Sequence, residues 1–123
     1  MPYTIVRDGI AKPLAGRIGV AERGRVLLVA RDAANCVLCH AVPDPAIADA
    51  GDLGPSLAGV GARFTAAQLR LRIVDILRLA PTAAMPSYYR VFGFNDVARP
   101  YRGQPILTEQ EVEDVVAYLA TLR

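Results

Sequence analysis

No tryptophan occurs among the 123 residues, and the chain has one histidine, two cysteines and two methionines, one of them the first residue. Aromatic side chains make up 7% of it, too few for the array of stacking platforms that holds single-stranded nucleic acid. Neither sign of charge is in excess: 14 Lys and Arg against 12 Asp and Glu leave a net charge of +2. That balance argues against a dedicated nucleic-acid or membrane-surface binder. Long hydrophobic runs are missing too, since the stretch Val26-Leu27-Leu28-Val29-Ala30 is far short of the roughly 18 residues that read as a membrane span. Sustained strand alternation and internal repeats are absent. What is present is 53% hydrophobic and 21% charged residues, enough for a buried core in one ordinary domain and against wholesale disorder.

The order of apolar residues predicts three helices separated by long loops. Residues 1–20 hold Pro2, Gly9, Pro13, Gly16 and Gly19 with no steady period, and read as an arm lying on the surface of a domain spanning 21–123. A first helix is expected from Ala21 to Ala34, with Val26, Val29 and Ala30 on one face. Residues 41–63 are rich in Pro and Gly and read as loop. Thr65-Ala66-Ala67-Gln68 has the form of a capping box, followed by Leu69, Ile73, Ile76, Leu77 and Ala80 until Pro81 ends the run. Residues 81–107 are irregular. A second capping box, Thr108 to Glu111, opens a last helix with the stripe Val112, Val115, Val116, Leu119 and Leu122. Its acids Glu109, Glu111, Glu113 and Asp114 sit where the helix dipole favours negative charge. The fold class is all-α. Roughly half the chain is irregular, and loops of this length in a compact domain call for an explanation. Three helices alone make a thin core, so a bulky group is expected to fill the middle.

The scarce residues define that group. Cys36-Val37-Leu38-Cys39-His40 is a C-x-x-C-H run, the attachment signature of c-type haem. Two thiols so spaced can each bond one edge of the macrocycle while the adjacent imidazole reaches the iron. A thiol–disulfide redox pair would need a βαβ context that is missing. A structural zinc site would need a fourth ligand, and only carboxylates remain. A disulfide between Cys36 and Cys39 would close a tiny loop and stabilise little. With His40 the sole histidine, a second imidazole ligand is excluded. Met85, in Ala84-Met85-Pro86, is the only internal thioether; Lys12 or an open sixth position are the alternatives, and a core-filling role for Met85 on a helix conflicts with Pro81 and Pro86 nearby. His/Met ligation would raise the reduction potential and leave no position for substrate, which suits outer-sphere electron transfer.

Assembled, these residues resemble the class I cytochromes c over about 21–123. Gly54-Pro55-x-Leu57-x-Gly59-Val60-x-x-Arg63 is similar to the loop after the haem-binding helix in that family. The resemblance implies that the Pro55 carbonyl accepts from His40 and that Arg63 bonds a haem propionate. Asp114 to Leu119 looks like the C-terminal helix that crosses the N-terminal one, although Gly24 lies about one turn further from the first Cys than is usual. A narrower resemblance, to the SoxX-type monohaem subunits of SoxAX cytochromes, is carried by Gly51 to Gly61, Leu69 to Asp75, Met85-Pro86-Ser87-Tyr88-Tyr89-Arg90 and Gly103 to Thr108. Ile76 and Ala80 stand where relatives are expected to have Pro and Asn.

The narrower resemblance implies one covalent haem c and a heterodimer with a SoxA-like haem subunit. It also implies electron delivery to a small acceptor cytochrome, and a place in the bacterial periplasm with the signal peptide removed. In that setting the chain is an electron carrier within an L-cysteine S-thiosulfotransferase complex, which joins thiosulfate oxidatively to a carrier-protein cysteine. A free-standing cytochrome serving another dehydrogenase, such as one oxidising sulfite, is the alternative. Between Arg63 and Arg102 seven Arg (63, 70, 72, 78, 90, 99, 102) stand against Asp75 and Asp96. This side is therefore expected to be basic, with either a partner-steering or a merely solvated face.

Overall fold

The computed structural model describes residues 3–30, 33–38, 40–45, 47, 51, 54–83, 85–89 and 105–123. Among the described residues four helices appear in this order: α1 (Ala21–Val29), α2 (Val60–Arg63), α3 (Ala66–Asp75) and α4 (Glu109–Ala120). Single 3-10 turns form at Leu14–Gly16, Cys36–Leu38 and Ile76–Arg78. Among the described residues there is no strand, only an isolated bridge between Val6 and Gly9. The all-α reading holds.

Both capping boxes form. The Thr65 and Thr108 hydroxyls each accept from the backbone N–H three residues on, at 3.2 Å, while Gln68 and Glu111 reach back to the cap N–H groups. These local bonds set where α3 and α4 begin. The apolar stripe of α4 then goes inward: Val112 and Val115 are 0% exposed, and Val116 and Leu119 are buried beside them. Each such side chain contributes about 1.5–3 kcal/mol relative to exposure. Leu69, Leu71, Ile73 and Val74 of α3 and Leu28 of α1 complete this interior.

Helices α1 and α4 cross with their backbones in contact. A Cβ on Gly24 would collide with the Asp114 carbonyl, and one on Gly19 with that of Glu113. Gly24, one turn further from Cys36 than expected, is thus the residue that lets the two helices meet. The N–H of Val20, at the start of α1, donates to Asp114 Oδ1 at 2.8 Å, so α4 caps α1.

Four sequence expectations change. Helix α1 stops at Val29 rather than Ala34, because Ala30 is extended (φ −74°, ψ 123°) and Asn35 has a left-handed φ of 48°. Helix α3 stops at Asp75, where the backbone departs to φ −158°, ψ 78°. The carbonyls of Ile73 and Val74, in its last turn, accept instead from the N–H groups of Tyr88 and Tyr89 at 2.9 and 3.2 Å. The stretch 41–63 is not all loop: Gly59, at φ 74°, turns the chain into α2, whose Gly61 N–H donates to Leu122 O at 2.9 Å. The N-terminal arm does not merely lie on the surface, since Ile10 and Leu14 are 1% and 2% exposed within the core.

Two of the α4 acids hold that arm. Glu113 and Asp114 are buried rather than spread at a solvated helix start. Glu113 receives Arg70 through two 2.8 Å bonds and the Leu14 N–H at 3.0 Å, while Arg70 also donates to Ile10 O at 2.6 Å. Arg70 therefore has no part in a basic surface, which corrects its inclusion there. Arg90, Arg99 and Arg102 lie outside the described residues.

Candidate functional site

The short helices and the loops between them leave a hollow. A cavity of about 700 Å³ opens between the Cys36 turn, the 54–57 loop, α2, α3 and the Met85 segment. Its wall is mostly hydrocarbon, from Leu57, Val60, Phe64, Leu69, Ile73, Ile76, Ile106 and Leu119 among others. This volume falls in the range of cavities that take a sizeable ligand or cofactor.

The sequence-selected residues converge on it. Cys36, His40, Pro55, Arg63 and Met85 all line the cavity. Cys39 lies outside the described residues. Cys36 is buried, 8% exposed, and its carbonyl accepts from the His40 N–H at 3.0 Å, so the turn itself carries the histidine to the wall.

His40 is oriented by its neighbours. Its Nδ1 lies 2.6 Å from the Pro55 carbonyl oxygen. A carbonyl can only accept, so Nδ1 carries the proton and Nε2 keeps its lone pair for a ligand. The imidazole also lies against Gly54, where a Cβ would run into the ring. Gly54 is thus a positioning residue that scarcity of residue type could not reveal; only the Gly-Pro pair hinted at it. Downstream, Arg25 Nε pairs with Asp44 at 2.6 Å, and the Tyr118 hydroxyl donates to the same carboxylate at 3.1 Å. The loop that follows His40 is thereby clamped to α1 and α4. Burial, followed by that bond to Asp44, raises the Tyr118 phenol above its ordinary pKa, keeping it the donor.

Met85 comes from the opposite side in sequence. Its segment is fixed by the Tyr88 and Tyr89 bonds to α3, by Ser87 Oγ donating to Asp75 Oδ1 at 2.8 Å, and by Tyr88 Oη donating to Ala34 O at 2.5 Å. The last bond ties the Met85 segment directly to the residues before Cys36. Met85 is partly buried and in no helix among the described residues.

Charge on the wall is one-sided. Arg63, exposed, donates to Ala58 O at 2.6 Å, and its guanidinium carbon is 6.0 Å from the Phe64 ring centre. Arg72, half-buried, lies 4.0 Å from that same centre and donates to Gln68 O at 3.1 Å. No carboxylate is among the described lining residues. Phe64 and Arg72 were not singled out for the site from the sequence; their meeting depends on α3 packing back beside α2.

The family model for cytochrome c matches residues 21–123. The crystal structure of SoxXA from P. pantotrophus contains a chain to which this one is similar, with 33% identity and a TM-score of 0.89, covering 98% of this chain and 93% of that one. Among curated protein sequences there is no match. No described helix is long and apolar enough to cross a membrane.

Proposed function

The chain belongs to the cytochrome c family, whose members carry covalent haem c and transfer electrons, and from that premise we propose that it is the SoxX-like electron-exit subunit of a periplasmic thiosulfate-oxidising complex. The observation that carries the reading is one apolar cavity onto which Cys36, His40 and Met85 all converge, with His40 Nδ1 already committed to Pro55. The donor set fits: a buried sulfur, an imidazole with its second nitrogen's lone pair available, and a thioether on a tethered loop. The likeness to the SoxXA chain over nearly the full length of both narrows the reading to that branch.

When bound, haem c supplies a one-electron Fe(III)/Fe(II) couple. The placement of Cys36, His40, Pro55, Arg63 and Met85 on one wall supports the following roles. Cys36 and Cys39 would hold the macrocycle edge through thioethers. His40 would present Nε2 to the iron, with the Pro55 carbonyl fixing the ring as a hydrogen-bonded outer partner does. Met85 would hold the iron through its thioether, and a soft sulfur there would favour the reduced state. Arg63 would meet the haem carboxylates. Leu57, Val60, Ile73 and Leu119 exclude water from the wall.

The sulfur chemistry lies elsewhere, because with both cysteines converted to thioethers this chain has no thiol to offer. Joining thiosulfate to a carrier cysteine forms one S–S bond and releases one proton from the thiol and two electrons. A SoxA-like haem partner hosts that step, and this subunit takes the electrons one at a time toward a small acceptor cytochrome.

Co-expression with a SoxA-like chain tests the partner, and an alkaline pyridine spectrum tests the cofactor. The expected result is a heterodimer with a haem band on this chain that survives denaturation. In the ferric protein, Met85→Ala should abolish the sulfur-to-iron charge-transfer absorption. A colourless, folded protein of unmodified mass overturns the haem reading. A haem-bearing chain that ignores SoxA and is reduced by a sulfite-oxidising dehydrogenase instead overturns the SoxX-like assignment alone.

A further inference from the structure

We propose that Arg72 is, with Arg63, one of two cations flanking Phe64 that hold the carboxylate edge of the haem, and that Arg72 thereby raises the reduction potential of this chain. The proposal rests on the cytochrome c reading of the cavity.

Three observations lead to it. First, Arg63 and Arg72 are the only described lining residues with a permanent charge, and no carboxylate lines the wall beside them. Neither forms an ion pair among the described residues. Two cations at the border of an apolar hollow match a ligand with an anionic edge. Second, the two guanidiniums share one aromatic ring, at 4.0 and 6.0 Å from its centre. Stacking at 4.0 Å pre-organises the planar Arg72 head group. Third, among the described residues each spends one nitrogen on a protein carbonyl, Gln68 O for Arg72 and Ala58 O for Arg63. A guanidinium has five N–H donors, so both retain donors for carboxylate oxygens.

The consequence is electrostatic. A fixed positive charge beside a group that gains positive charge on oxidation disfavours the oxidised state. Arg72 thus supports the reduced form both directly and by compensating the carboxylates. Charge removal lowers the potential; relocating the charge lowers it less.

The test is equilibrium redox titration of the isolated haem-bearing chain, followed by visible absorption. Arg72→Gln is expected to cut the reduction constant about tenfold against a fixed mediator, which is about 59 mV for one electron. Arg72→Lys, retaining the charge, should stay close to wild type. Arg78→Gln, an exposed change in the turn after α3, should leave the titration unmoved. Should Arg72→Gln fail to fold, Phe64→Leu removes the platform while keeping both charges, and a smaller fall in the same direction is expected. If the folded Arg72 variant titrates like Arg78→Gln, or Phe64→Leu changes nothing, the proposal is overturned while the function stands. A wild-type chain without covalent haem overturns both.

Discussion

The helix crossing and the cavity wall are held by different forces. Where α1 meets α4, backbone touches backbone across Gly24 and Gly19, and charged groups that stray inside are fully paired. On the cavity side α2, α3 and Leu119 of α4 share the wall with loops fastened at a few points: His40 to Pro55, Tyr88 to Ala34, Ser87 to Asp75. The first region is complete as protein. The second is a frame whose apolar faces look onto space, so its packing depends on what fills it. Stability should therefore be tested at the crossing, and ligand retention at the frame.

The largest break in this contrast comes from the arm lock. Glu113→Ala leaves Arg70 buried without its partner and should cost about 3–5 kcal/mol, as removing one member of a buried pair does. Chemical denaturation reads this directly. Replacing both, Arg70→Met with Glu113→Leu, should recover most of the loss, because no isolated charge remains. Next comes Gly24→Ala, which pushes a methyl group into the Asp114 carbonyl and should cost about 1–3 kcal/mol as the helices separate. Neither change touches the cavity, so once folded both variants should keep the visible spectrum of the wild type. A spectrum altered by Gly24→Ala would show that the two regions are not separable.

How much of this was legible beforehand depended on range in sequence. The capping boxes at Thr65 and Thr108 are four-residue devices, so their letters alone suffice. The Val112–Leu119 stripe is periodic, and periodicity survives without knowledge of partners. His40, Cys36 and Met85 stood out because so few residues of their chemistry exist, and the structure brings those three to one cavity. The Arg70–Glu113 pair was misread on both sides, as a surface cation and a dipole-placed acid. Its members are 43 positions apart, and nothing local marks either as buried. The helix ends failed for a related reason: Tyr88 and Tyr89 take the last α3 carbonyls, a competition that sequence periodicity cannot register.

The tether between the two sides of the frame predicts a smaller effect. Tyr88→Phe deletes the hydroxyl that donates to Ala34 O and leaves that buried-side carbonyl unsatisfied, at about 1–2 kcal/mol. The loss should be local. Amide exchange at Tyr88 and Tyr89 should quicken while α4 amides stay protected, since α4 does not use this bond. With haem in place, the Met85 charge-transfer band should become more easily displaced by an added imidazole. Uniform quickening across α4 would instead mean that frame and crossing unfold as one.

The smallest predicted effect separates the regions by pH. Burial, and then a hydrogen bond to Glu109, push the Tyr89 phenol up to about 12 from its ordinary 10.0. The folded state thus favours the protonated phenol. Its contribution is complete below pH 10, the unfolded value, and is lost as pH rises through about 12. Tyr89→Phe keeps the ring, including its edge-to-face contact with Tyr3 at 6.0 Å, and removes the titration. The variant should therefore unfold with a shallower alkaline slope than wild type, and Tyr118, whose phenol is also raised by burial, contributes to what remains. At the acid end the order reverses for Glu109. Its carboxyl is held below the usual range, first by the backbone N–H it accepts and also by the Tyr89 hydroxyl, so it stabilises the fold above its unfolded value and ceases to as pH falls through the lowered one. Without the phenol, Glu109 loses one of the groups that hold its carboxyl down, and acid unfolding of Tyr89→Phe should begin at slightly higher pH. Urea midpoints measured across both limbs check the pair, and parallel wild-type and variant curves would remove Tyr89 from the account.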